Sequence, residues 1–168
     1  MTITTNCGVK PLAINGKPLK SINQYYNKKI SEMRSELKKR HNADWSKEMQ
    51  RFTIKRNNKV DDYIQKATKM VIDFCKENNI DTLVVGKNDE WKQESAMCKK
   101  SNQNFIMIPY QMLLQQLKYK CENVGINYIE QEESYTSGIS FLDKENPIKE
   151  NFNKYRCIQR GLFISNSG

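Results

Sequence analysis

Histidine is almost missing from this 168-residue sequence, with His41 its one example, so catalysis built on an imidazole base is disfavoured. His41 falls in the polar stretch Lys38-Lys39-Arg40-His41-Asn42, where a solvated loop position is expected. The five cysteines, Cys7, Cys75, Cys98, Cys121 and Cys157, are odd in number, scattered, and never form a CxxC pair. That spacing supports neither a disulfide framework nor a zinc ribbon, and buried or idle thiols are expected instead. Glycine is sparse and never takes the GxxxxGK[ST] or GxGxxG spacing of the common phosphate-binding loops. No apolar run approaches the roughly eighteen residues of a membrane helix, and the N-terminus lacks a basic-then-apolar leader pattern. A soluble, cytoplasmic protein with no membrane partner is expected.

What the sequence does have is positive charge. Lys and Arg outnumber Asp and Glu by 28 to 19, a net charge of +9, which favours an anionic partner such as nucleic acid. The cations cluster at Lys28-Lys29, Lys38-Lys39-Arg40, Arg51, Lys55-Arg56, Lys99-Lys100 and from Lys154 to Arg160, with Tyr25, Tyr26, Trp45, Trp91 and Tyr155 interleaved. Such a pattern suits a surface that grips a phosphate backbone and stacks bases. Composition alone fits ordinary solvated helix faces equally well.

The length suits one domain. Thr2 to Leu12 mixes β-branched residues with Gly8 and Pro11, and Asn15-Gly16 supplies a turn signal, so a short hairpin is expected. Ile22, Tyr25, Tyr26, Ile30, Met33 and Leu37 then recur at helical spacing up to about His41, with Ser21 placed as N-cap. A second helix is predicted from about Ser46 to Glu77, with a break near Asn57-Asn58. Ile80 to Gly86 reads as a buried central strand, which after a long helix points to an α/β layer architecture. Residues 88–104 read as loop. Pro109 to Val124 returns to helical spacing with Pro109 in the first turn, Gly125 stops that helix, and Ile126 to Ile129 reads as a strand before a long polar tail.

Carboxylates are the catalytic groups in best supply, and metal-dependent nucleases bring several together on magnesium. Glu133, in Glu132-Glu133-Ser134-Tyr135-Thr136-Ser137, has the best context because it follows a predicted strand. From spacing alone, two solvated glutamates after a strand are the preferred reading.

Several segments are more specific. Leu83-Val84-Val85-Gly86-Lys87-Asn88 with Trp91-Lys92-Gln93, Asn102-Gln103-Asn104-Phe105 with Ile108-Pro109, and Glu133-Ser134-Tyr135-Thr136-Ser137 with Ser140-Phe141-Leu142-Asp143 resemble the TnpB-type (OrfB) transposase family of insertion sequences. Lys20 to Lys29, Lys55 to Lys59 and Arg160-Gly161-Leu162-Phe163 are similar to it as well, in order along nearly the whole chain. The resemblance implies a RuvC-like nuclease domain: an RNase H-like mixed α/β sheet flanked by helices, incomplete, with a helical insertion at about 20–79, a strand-helix-strand core at 80–131 and a polar tail at 132–168.

Relatives of that kind are magnesium-dependent, RNA-guided DNA endonucleases with two aspartates and a glutamate on the metal. The usual glutamate position falls at Val85 and Gly86, which carry no carboxylate. A branch of the family with the Gly-Lys-Asn form has its glutamate in the Glu-Ser-Tyr-Thr-Ser motif, which maps onto Glu133 as catalytic residue and metal ligand. The Asp-Leu-Gly and Asn-Ala-Asp motifs that carry the aspartates are expected just upstream of Met1 and just beyond Gly168, so the sequence reads as truncated at both ends. Lys55, Arg56, Lys92 and Lys120 are the expected nucleic-acid contacts. The functional expectation is a transposon-associated fragment that binds DNA and guide RNA, holds no metal tightly and no zinc, and does not cut DNA alone. The alternatives are a non-catalytic regulator, acting beside a full-length relative, and one piece of a split nuclease completed by flanking fragments.

Overall fold

The structure, a computed structural model, describes residues 1–87, 108–140, 142–159 and 162–165. They form a mixed α/β arrangement of three helices, three two-stranded sheets and short 3₁₀ turns. They divide into two compact units, residues 1–83 with 108–128, and residues 84–87 with 129–165.

The first unit opens with the expected hairpin. Strands β1 (Thr2–Ile3) and β2 (Leu12–Ala13) pair antiparallel, and the Met1 amino group donates to the Ile14 carbonyl at 3.0 Å. The turn is not at Asn15-Gly16, because Gly16 is the N-cap of the first helix and the Asn15 side chain accepts from the Lys17 amide at 3.0 Å. Helix α1 (Lys17–His41) carries Pro18 in its first turn, where a missing N–H leaves no bond unmade. Ser21 therefore lies inside the helix and donates to the Lys17 carbonyl, correcting its expected capping role. His41 closes the helix and is not in a loop.

Helix α2 (Lys47–Glu77) starts at Ser46, whose hydroxyl accepts the Met49 amide at 3.2 Å, one of the donors that every helix start leaves unpaired. It runs unbroken through Asn57-Asn58. Its buried residues Val60, Ile64, Ala67, Val71 and Cys75 recur every three or four positions and make one stripe. Helix α3 (Tyr110–Val124) buries Leu114, Leu117 and Cys121, begins directly after Pro109 and ends at Gly125 in the left-handed region at φ 74°, where glycine has no Cβ to clash. Both α1 and α3 pack on α2. Leu19, Val60 and Ile64 form a central cluster against Ile22, Tyr63, Ile108, Met112 and Leu113.

Strands β3 (Thr82–Lys87) and β4 (Asn127–Glu132) form a two-stranded sheet. The Asn127 amide donates to the Asp81 carbonyl at 2.8 Å and the Glu133 amide to the Lys87 carbonyl at 3.1 Å. Partners rise together along both strands, so the pair is parallel, as a connection through a helix requires. The strand is not fully buried as its apolar run suggests: Leu83 is buried but Val84 is 57% exposed.

The second unit is more ordered than a polar tail. Strands β5 (Cys157–Gln159) and β6 (Leu162–Phe163) form an antiparallel hairpin with an irregular register. The Arg156 guanidinium organises the surrounding loops. It donates from Nη2 to Asp143 at 2.8 Å, from Nη1 to Glu145 at 2.7 Å and from Nε to the Ile164 carbonyl at 3.0 Å. Asp143 also accepts from Ser165, and Glu145 from the Ser140 amide, both at 2.7 Å.

Candidate functional site

Glu133 follows the last residue of β4, in the second unit, with its amide held by the Lys87 carbonyl at the end of β3. Its own carbonyl accepts the Thr136 hydroxyl at 2.9 Å, which tightens the chain into the 3₁₀ turn Thr136–Gly138. The side chain reaches across to the neighbouring strand: a Cβ built on Gly86 would fall on the Glu133 carboxyl group. The space a side chain at position 86 would fill is therefore taken by the Glu133 carboxylate. Only glycine permits that approach.

The groups around it are already engaged. Lys87 pairs with Glu130 at 3.3 Å, and the Ser134 hydroxyl donates to Glu132. Tyr135, in the left-handed region at φ 65°, sets its ring edge-on to Phe152 with centroids 5.8 Å apart. Among the described residues no three His, Cys, Asp or Glu side chains come together as a metal group. A magnesium ion takes several oxygen ligands, and the described residues around Glu133 do not make up such a set. Asp143, the carboxylate of the adjoining motif, is held by Arg156 and Ser165. Hydrogen bonds from the Ser140 amide and from Arg156 hold the Glu145 carboxyl below the usual carboxylate range.

The expected nucleic-acid contacts in the first unit sit in unlike settings. Lys55 is exposed on α2. Arg56 is half-buried between α1 and α2: it donates through Nε at 3.0 Å and through Nη2 to the fully buried Asn23 side chain, and its guanidinium lies 5.6 Å from the Tyr26 ring centroid. Burial pushes its pKa down, opposed by Tyr26 and Asp61. Tyr26 stacks on Phe52 at 5.7 Å. Lys120, on α3, donates to the Thr68 hydroxyl at 2.6 Å and the Gln65 carbonyl at 3.0 Å on α2, and burial first, then Lys69, lowers its pKa. Lys92 lies outside the described residues, as do Trp91, Cys98 and Lys99-Lys100. Cys75 and Cys121 are buried, and burial raises the Cys121 thiol to about 11, far from a reactive thiolate.

Two features escaped sequence reasoning. The approach of Glu133 to Gly86 had a signal, since glycine inside a strand marks a close neighbour. The exposed row Arg51, Lys55 and Lys59 had one too, in its four-residue spacing. Among the described residues no helix is long and apolar enough to cross a membrane.

Comparison with known proteins agrees with the motif resemblance. A search of curated proteins finds no match. A solved structure, "Cryo-EM structure of the Cas12f1-sgRNA-target DNA complex", is similar in fold, with a TM-score of 0.55 and 20% identity over 92% of this chain. This chain spans 38% of that one. The family model OrfB_IS605, described as "Probable transposase", matches residues 1–92. The chain belongs to the OrfB_IS605 transposase family of insertion sequences.

Proposed function

We propose that this chain is part of an RNase H-like, RuvC-type nuclease scaffold that binds DNA and guide RNA, and that it carries the glutamate of the metal centre at Glu133 in place of position 86. The observation behind this reading is the Glu133 carboxyl group lying against Gly86, in the space the Cβ of a residue there would take, so that a carboxylate stands beside the strand position where the family's glutamate is usual. The net charge of +9 and the solved neighbour, a complex with sgRNA and target DNA, support nucleic-acid partners. On this reading residues 20–79 are the helical insertion, 80–131 the strand-helix-strand core and 132–168 the segment carrying the relocated glutamate, in a cytoplasmic protein.

One carboxylate does not clamp a metal pair, so the chain is proposed not to cut DNA by itself. A nuclease assay with magnesium on single- and double-stranded DNA tests this, first with the chain alone and then with co-expressed segments bearing the Asp-Leu-Gly and Asn-Ala-Asp motifs and transposon-end RNA. Cleavage only with those segments, lost on Glu133→Ala, is expected. Cleavage by the chain alone overturns the inactive reading, and full activity of Glu133→Ala overturns the relocated glutamate. Salt-sensitive binding without cleavage under any condition favours a non-catalytic regulator working beside a full-length relative, the reading the excess of positive charge supports.

A further inference from the structure

The turn that follows Glu133 is built against one aromatic ring. Gly138 is buried, and a Cβ built on it would fall on the Phe152 ring. The same ring meets Tyr135 edge-on, with planes 64° and centroids 5.8 Å apart. The amide of the next residue, Asn153, donates to the Gly138 carbonyl at 2.9 Å. Phe152 therefore touches both ends of the turn from Tyr135 to Gly138. Inside that turn the Gly138 amide donates to the Tyr135 carbonyl at 3.2 Å, and the Thr136 amide and hydroxyl donate to the Glu133 carbonyl at 3.4 and 2.9 Å. The backbone of Glu133 is thus set from two sides, by Thr136 and by its own amide on the Lys87 carbonyl at 3.1 Å.

Tyr135 needs an outside hold. It lies in the left-handed region at φ 65°, a conformation that costs a residue with a side chain free energy and persists where its surroundings enforce it. Phe152 does not fill a core: it is 37% exposed, and the buried residues among those described in the second unit are Gly138 and Ser140. Glu133 is itself exposed, and an exposed glutamate samples several rotamers unless its backbone and neighbours restrict it.

We propose that Phe152 is a positioning residue for Glu133: its ring clamps the turn 135–138 and, through Thr136, aims the carboxyl group that lies against Gly86. Gly138 is the other half of the clamp, because only a residue without a Cβ lets the ring seat there. The clamp rests on the reading of Glu133 as the glutamate of the metal centre, and it adds which residue directs it. With the ring gone, Tyr135 leaves the left-handed region, the Thr136 bonds to Glu133 lapse, and the carboxyl group moves off Gly86.

NMR of the full chain tests the clamp without metal or nucleic acid, through the NOE between the Glu133 γ protons and the Gly86 α protons and the shift of the Glu133 carboxyl carbon. The unaltered chain is compared with Phe152→Ala, Phe152→Tyr, Gly138→Ala and Ser165→Ala, the last removing a hydrogen bond of the same unit away from the turn. The NOE is expected in the unaltered chain, Phe152→Tyr and Ser165→Ala, and lost in Phe152→Ala and Gly138→Ala. Both alanines break one contact, so the double variant moves the carboxyl carbon no further than the larger single change. Backbone NOEs between Cys157 and Phe163, partners in the β5–β6 hairpin, report whether the second unit stays folded. In the nuclease assembled with the co-expressed segments, Phe152→Ala lowers kcat by about 10- to 100-fold with KM for DNA unchanged, and Phe152→Tyr restores it. An NOE absent from the unaltered chain, kept in Phe152→Ala or lost equally in Ser165→Ala overturns the clamp. So does loss of the hairpin NOEs together with the Glu133 NOE, since Phe152 then holds the whole unit, or an unchanged kcat in Phe152→Ala despite a lost NOE. Full activity of Glu133→Ala removes instead the reading of Glu133 as the metal glutamate, while the NOE still decides whether Phe152 aims it.

Discussion

At the level of single residues, the most informative relationship is between Gly86 and Glu133. Glycine in a strand loses more conformational freedom than alanine and packs nothing, and here it leaves room for a carboxyl group from the adjacent strand. Gly86→Ala is expected to change stability in urea by no more than about 1 kcal/mol, because the methyl group meets the end of a movable side chain and alanine itself favours the folded state. The Glu133 carboxyl carbon is expected to shift in NMR more than any other carboxyl of the chain. An unmoved Glu133 resonance contradicts the close approach. Arg56 and Lys120 teach the opposite lesson. Both are expected nucleic-acid contacts from the sequence, yet both make hydrogen bonds within their own fold, so their removal would alter helix packing as well as charge.

Among elements, α2 organises the first unit because both other helices pack on it. Its start depends on Ser46, the residue that satisfies the Met49 amide. Ser46→Ala is expected to lower stability by about 1 kcal/mol, read as a shift of the urea midpoint with an unchanged slope, while Ser46→Asp retains most of it. A midpoint unchanged in Ser46→Ala shows that the cap is dispensable. The β3–β4 pair is the element least able to stand alone: a parallel pair of strands with Val84 57% and Ile129 41% exposed has an apolar surface of the kind further strands cover in larger sheets.

At the scale of the whole molecule, the two units hold together by different means. The first has an apolar core of helix stripes; the second relies on Arg156 and the carboxylates around it. Acid should therefore act on them differently. Hydrogen bonds from the Ser140 amide and Arg156 lower the folded-state pKa of Glu145 below its ordinary value of 4.5. A lowered carboxyl pKa contributes stability that is present above the ordinary value and disappears as pH falls through the folded one. Hydrogen-exchange protection of the Ser140 amide is expected to hold from pH 7 to about 5 and then fall as Glu145 protonates, and Glu145→Gln should remove that acid limb. Protection that stays constant in the unaltered chain well below pH 4.5 argues against the network as a prop of the second unit.

The sequence by itself determined the three helices and β3 and β4, because burial of one face imposes a period that composition cannot hide: Val60, Ile64, Ala67, Val71 and Cys75 could lie on one side of a helix and nowhere else. It also determined the family, through short ordered motifs. Details that depend on competing local signals were less legible. Asn15-Gly16 and Ser21 both look like turn or cap residues, and only the packing of Leu19 and Ile22 against α2 fixes where α1 begins. The order in the polar tail was hidden because Arg156 finds Asp143 and Glu145 across more than ten residues of chain, and such pairs have no period. For the same reason tertiary structure alone decided that Arg56 and Lys120 turn into the fold, and that Glu133 is the neighbour the strand glycine makes room for: proximity between residues 47 positions apart is set by parallel strand pairing, which hydropathy does not encode.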